Sequence, residues 1–298
     1  MVLKLVEYRH IFDWFSAGAA DWPGFVDACE NEHVDRVVTM LDKDATLLTD
    51  RRRDGETSFM IACMYKRPLI LNKLIEAFQK NIRPSDASAQ DPVDLNSETE
   101  SGSTALDFAC QVKCLDCVKA LTEAGAKLNA NTSTGTTALI TACIFDAEDI
   151  VEYLIESGAG IDQQGDNDMT ALIWSCLHGH TKCVQVLLNH NADLTLTTEK
   201  QGYTALHVAC KSGCVECASA LLEKKADVDV TSADGNSALM LAASFGFDQI
   251  VNKLIHHGAD LNIKDTEQFT ALMLAARSGH TSIVDILRDR LETQKTIK

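Results

Sequence analysis

The sequence predicts an all-α solenoid, a stack of short helix–turn–helix units with projecting hairpin loops. Three observations lead there. First, one phrase recurs: Thr104-Ala105-Leu106, Thr137-Ala138-Leu139, Thr170-Ala171-Leu172, Thr204-Ala205-Leu206, Ser237-Ala238-Leu239 and Thr270-Ala271-Leu272, at steps of 33, 33, 34, 33 and 33 residues. A period of this length is the mark of a solenoid. Second, a capping residue and a glycine bracket a short helix in the later copies. Third, an apolar stripe at helical spacing follows the glycine.

The copy from Gly202 to Asp234 shows each element in turn. Thr204 is a cap that accepts an otherwise orphaned backbone N–H. Ala205 to Lys211 make the first helix, and Gly213 ends it because glycine tolerates the left-handed cap. A second helix runs from about Val215 to Glu223 with Ala218, Leu221 and Leu222 as its stripe. Ala226-Asp227-Val228 leads to a polar turn, Asp229 to Asp234, and Gly235 opens the next copy.

These residues carry a family resemblance. Thr204 to Ala209 is similar to the ankyrin phrase T-P-L-H-x-A, Gly258-Ala259-Asp260-Leu261-Asn262 to its G-A-D-V-N, and Gly279-His280-Thr281-Ser282-Ile283-Val284 to its G-H-x-x-I-V. The resemblance covers residues 22–298, with Ala in every copy where the family favours Pro. Pro pre-sets the first helical turn, but Ala is the best helix former, so little is lost.

Reading the register backwards gives Thr57-Ser58-Phe59-Met60-Ile61-Ala62-Cys63, which lies 47 residues before Thr104, and then Phe25-Val26-Asp27-Ala28-Cys29. The excess falls in Gln79–Ser101, a polar stretch with Pro84 and Pro92, expected as a long loop over 79–101 or a disordered excursion. Eight units result: about 22–54, 55–101, 102–134, 135–167, 168–201, 202–234, 235–267 and 268–298. With helices ~8–10 Å apart the array is roughly 70 Å long. In residues 1–21, Leu5, Tyr8, Phe12 and Phe15 share a helical face. That segment reads as a helix capping the first unit, as solenoids require, or as a docking segment.

A net charge of −16 argues against nucleic acid and anionic membrane as partners. No charge-free run reaches the ~18 residues of a membrane span, and there is no secretory core. A cytoplasmic setting, or a nuclear one, is expected. The eleven cysteines fit a reducing compartment. Cys63, Cys110, Cys143, Cys176 and Cys210 share a column with Ala243 and Ala276; Cys117, Cys183 and Cys217 share another with Ile250 and Ile283. Both columns are expected to pack as small hydrophobes in the core. Two C-x-x-C pairs, Cys114/Cys117 and Cys214/Cys217, lie three units apart, about 30 Å in the stack. They cannot share one zinc ion, whose ligands lie ~2.0–2.3 Å away. Each pair is read as packing, with a metal or redox role as the alternative.

In the ankyrin family, ligands meet the projecting turns and the concave face of the first helices. By register, the two residues after the cysteine column point that way. Met64, Tyr65, Val112, Ile144, Phe145 and Leu177 make an apolar run over four units; His178 follows, Trp174 lies one turn below, and Phe245 continues the line. Contiguous apolar surface marks interaction sites; packing of these side chains on one another is the other reading. Tyr203 and Phe269 stand at turn tips and extend the candidate partner-binding set. Glu98, Glu100, Asp146, Asp166 and Asp168 rim the groove, so the expected partner is a protein or peptide with apolar anchors and basic flanks. The chain itself is expected to be a monomer.

There is no phosphate loop, no H-E-x-x-H and no nucleophile elbow. The resemblance assigns His180 and His207 to structural positions. The expected function is therefore non-catalytic: an interaction module acting as adaptor, scaffold or inhibitor, without cofactor or metal. The alternatives are a targeting factor or chaperone shielding an apolar client, and a thiol- or metal-dependent enzyme or sensor. Resemblance to hydroxylated ankyrin repeats also marks Asn262 as a candidate acceptor.

Overall fold

A computed structural model describes residues 21–48, 51, 54–81, 95–130, 132–133 and 135–296. Leu5, Tyr8, Phe12 and Phe15, expected to cap or dock, lie outside the described residues, as does most of the 79–101 loop.

Among the described residues sixteen α-helices follow in pairs: α1 (Trp22–Glu30) and α2 (Val34–Lys43), α3 (Ser58–Met64) and α4 (Pro68–Asn81), α5 (Ala105–Gln111) and α6 (Leu115–Glu123), α7 (Ala138–Ile144) and α8 (Glu148–Glu156), α9 (Ala171–His178) and α10 (Thr181–Asn189), α11 (Ala205–Ser212) and α12 (Val215–Glu223), α13 (Ala238–Phe245) and α14 (Asp248–His256), α15 (Ala271–Ser278) and α16 (Thr281–Thr296). Odd-numbered helices pack on one another in order, and even-numbered helices do the same. The result is a two-layer, all-α solenoid. No strand forms among the described residues, only an isolated bridge between Thr231 and Ser237.

The recurring threonine does what its chemistry allows. Thr57, Thr104, Thr137, Thr170, Thr204, Ser237 and Thr270 are N-caps in extended conformation, and each side chain accepts the N–H three residues on. Losing such a cap costs about 1 kcal/mol. At the far end of the first helices the chain turns left-handed. Gly179, Gly213, Gly246 and Gly279 hold that position in the later units, whereas Glu32, Lys66, Lys113 and Asp146 are forced to positive φ in the earlier ones.

Both cysteine columns are buried, with no exposed area at Cys63, Cys110, Cys143, Cys176, Cys210, Cys117, Cys183 or Cys217. Ala276, in the same column as the first five, is exposed. In every earlier unit the following pair of helices covers this position, and none of the described residues covers it here. Helix α4 extends to Asn81, so Gln79, Lys80 and Asn81 are helical rather than part of the long loop. Phe78 anchors that last turn edge-on against Phe59, with ring centroids 5.6 Å apart.

Two hydrogen-bond ladders tie unit to unit. At the turn tips, Glu100, Glu199, Ala233 and Thr266 donate their N–H groups to the carbonyls of Asp54, Asn167, Gln201 and Asp234. After the second helices, Asn96, Asn129, Asp162 and Asp229 accept the N–H groups of Lys127, Gly160, Asp193 and Asp260. Thr195 stands in that series between α10 and α12, but its hydroxyl donates to Asp193 Oδ1 (2.7 Å) instead. A cleft of about 420 Å³ opens beside it. The single 34-residue step is absorbed at a tip. Tyr203 N–H reaches back five residues to Thr198 Oγ1, where Ser103, Thr136 and Asn236 reach back four.

Candidate functional site

The groove side of the first helices divides in two. In the N-terminal half, Met64, Tyr65, Val112, Ile144 and Phe145 are half-buried. Tyr65, Val112 and Ile144 rest against the core. Tyr65 also donates its hydroxyl proton to Glu30 Oε1 at 2.7 Å, a tie between units. These residues lie in register at the ends of α3, α5 and α7, yet much of their apolar area is already spent on the stack.

The C-terminal half is more open. Leu177 is 43% exposed and Phe245 49% exposed. His178 is exposed as well. Beneath them Trp174 stacks on His178, and His178 stacks on His180, with centroids 5.7 and 5.5 Å apart. His180 is fixed by its Nδ1–H, which donates to Cys143 O at 2.8 Å. Partial burial, and then the neighbouring His180, hold the His178 imidazole below its ordinary range. Neutral aromatic surface therefore faces outward here near neutral pH. The Trp174 Nε1–H is buried without an acceptor among the described residues.

The tip aromatics are half-buried, each with a cation from its own first helix. Lys211 Nζ lies 5.0 Å from the Tyr203 ring centroid, and the Arg277 guanidinium 4.8 Å from that of Phe269. Such contacts contribute ~0.5–1 kcal/mol at exposed sites. Tyr203 also stacks on His207 at 5.7 Å. His207 is a spacer rather than a chemical group. Its Nδ1 accepts from the Thr204 hydroxyl (2.8 Å), and its Nε2–H donates to Asn236 O (3.0 Å), which braces the next tip.

Sequence reasoning did not anticipate a cleft of about 370 Å³ between the tips at 234–236 and 265–267 and the helices α13 and α15. Asp234, Asp265 and Glu267 line it opposite Leu241 and Leu274. Asp265 is held in place because its Oδ1 accepts the N–H groups of Glu267 (2.9 Å) and Phe269 (2.8 Å). Arg277 lies 3.8 Å from Glu267, a surface pair worth ~0–1 kcal/mol. The acidic pattern of the tips was the available signal.

Asn262 occupies the place of Asn96 and Asn129 in the second ladder, with its Nδ2 on Asp260 Oδ1 at 3.0 Å. The C-x-x-C pairs differ from each other. Cys114 donates its thiol proton to Cys117 Sγ at 2.9 Å, whereas the sulfurs of Cys214 and Cys217 are joined. No group of three or more His, Cys, Asp or Glu side chains among the described residues is arranged to hold a metal ion. No described helix is long and apolar enough to cross a membrane.

Comparison with known proteins agrees with this architecture. The model described as "Ankyrin repeats (3 copies)" matches residues 88–165, 157–232 and 226–298. Among solved structures, the chain is similar to the ankyrin repeat domain of Bcl-3, described as a unique member of the IkappaB protein family. The identity is 27% and the TM-score 0.68, over 79% of this chain and 100% of that one. No curated protein matches the sequence.

Proposed function

The chain belongs to the ankyrin repeat family, and from that premise we propose that it holds a segment of another protein along its concave face without transforming it. Ankyrin repeats are in general protein–protein interaction modules. The role fits an adaptor, a scaffold or an inhibitor that masks a partner surface. The observation that carries the reading is the pair Leu177 and Phe245. They are large, apolar and about half exposed, two units apart, and Phe245 follows Ser244 at the edge of a cleft lined with carboxylates. The half-buried residues Met64 to Phe145 serve as a continuing floor with less area to offer.

The partner this surface suits is an extended or helical segment with apolar anchors and Lys or Arg flanks. Covering the open half of a Phe removes about 100 Å² from water, worth ~2.5 kcal/mol before ordering costs. Leu177 adds roughly 2 kcal/mol by the same reckoning. A random peptide library displayed against the full chain tests the proposal. Enriched peptides should pair apolar residues with Lys or Arg. They should bind the Leu177→Asp/Phe245→Asp variant at least about thirtyfold more weakly, with its far-UV spectrum unchanged. Enrichment of acidic peptides, or indifference to that variant, would refute the reading.

A further inference from the structure

A thiol site stands apart from the groove. The residue after the left-handed glycine, at the junction of first and second helices, is His180 before α10, Cys214 before α12, Phe247 before α14 and His280 before α16. Two of these make the tie between units: His180 Nδ1–H donates to Cys143 O (2.8 Å) and His280 Nε2–H to Ser244 O (3.0 Å). At Cys214 that duty has passed to another residue. Ser212 Oγ donates to Cys176 O at 3.0 Å, in the same column as Cys143. Cys214 is thereby free of the tie that His180 and His280 make from the same position.

Its surroundings suit sulfur chemistry. Cys214 is the N-cap of the nine-residue α12, and its Sγ accepts the Cys217 N–H at 3.2 Å. Donors at a helix N-terminus stabilise a thiolate. The Thr181 hydroxyl approaches both sulfurs, 3.9 Å from Cys214 and 3.7 Å from Cys217. Cys214 is half-buried and reachable, whereas Cys217 has no exposed area, and their sulfurs are joined. The Cys114/Cys117 pair has the same spacing but different surroundings. Both of its members are buried. The hydrogen bond to Cys117, and then burial, push the Cys114 thiol well up.

We propose that Cys214 and Cys217 form a reversible thiol–disulfide site, oxidised by exchange with a small disulfide of the glutathione type, and that Cys114/Cys117 does not. Cys214 gives its proton to solvent and its thiolate attacks one sulfur of the small disulfide. That S–S bond breaks, and the departing thiolate takes up a proton. Cys217 then loses its proton and attacks Cys214 Sγ, which expels the second small thiol. The protein pair gives up two electrons and two protons, and the small disulfide becomes two thiols.

The test equilibrates the full chain in mixtures of reduced and oxidised glutathione, quenches with acid, unfolds, alkylates with N-ethylmaleimide and maps the peptides by mass. Alkylation of Cys214 and Cys217 should be lost together as the buffer becomes oxidising and return on reduction, while Cys114 and Cys117 stay alkylated throughout. In Cys214→Ser, Cys217 should be alkylated in every mixture. Cys214→His, which installs the residue that the preceding unit carries at His180, should behave the same way and guards against a folding defect in the serine variant. Full alkylation of the native pair in all mixtures, equal protection of Cys114 and Cys117, or protection of Cys217 as a disulfide within the chain in either variant would overturn the proposal.

Discussion

Thr141→Val tests whether a buried carboxylate joins two units. Asp107 and Thr141 are 3% and 5% exposed. Asp107 Oδ2 accepts the Thr104 N–H (2.9 Å) and hydroxyl (2.8 Å), and Oδ1 accepts the Thr141 hydroxyl from the next unit at 3.1 Å. Valine keeps the volume of Thr141 and removes that donor. A hydrogen bond to a charged group is worth ~1.5–3 kcal/mol, and one to a neutral group ~1 kcal/mol. The substitution should therefore cost about 2 kcal/mol at neutral pH and about half that once Asp107 is protonated. Burial holds Asp107 above its ordinary 3.8. Such a carboxyl binds more protons folded than unfolded, so stability falls as pH rises from 3.8 through the folded value and is level beyond it. Losing Thr141 pushes the folded value higher still and extends the fall to higher pH. Arrays of repeats need not unfold in one step, so the suitable readout is amide hydrogen exchange of α5 and α7 alongside urea unfolding. A loss that is the same at acid and neutral pH, or undiminished in an Asp107→Asn background, would refute the reasoning.

Gly246 and Lys66 hold the same left-handed position in different units, at φ 83 and 54. Gly246→Ala should cost about 2 kcal/mol or more in denaturant unfolding, since left-handed strain of ~1–2 kcal/mol is joined by a clash. The new Cβ would sit 2.5 Å from the His280 ring. Lys66→Gly should shift stability the other way, by up to about 1 kcal/mol. Burial lowers the His207 imidazole from its ordinary 6.5. The unfolded chain therefore takes the proton first, and stability falls as pH drops from 6.5 through the folded value. His207→Met, with the residue that α13 carries in the same place, should flatten that part of a stability–pH curve.

The helix pairs, their caps and the cysteine columns were legible because each depends on local chemistry repeated in register. A threonine before Ala-Leu needs no distant partner to cap a helix, and Cys143 is covered by whatever unit comes next. The groove was less legible because exposure depends on neighbouring side chains. Ile144 and Leu177 occupy equivalent positions, yet Ile144 rests on the core and Leu177 does not. The transfer of a tie from the histidine position to Ser212 was invisible for the same reason. So was the pairing of Tyr203 with Lys211, since nothing in their spacing tells which way a long side chain folds back.

The missing rung at Thr195 bears on mechanics. In the units on either side a side-chain oxygen rivets one rung of the ladder to the next, but among the described residues none does so between α10 and α12. A bending load spread along such a strut concentrates its strain at the softest joint. That joint lies below the open stretch of the inner surface, between the levels of Leu177 and Phe245. Changes in curvature would therefore alter the spacing of those two side chains before any other, and Thr195→Asp, which supplies the absent rivet, would stiffen the span at that point.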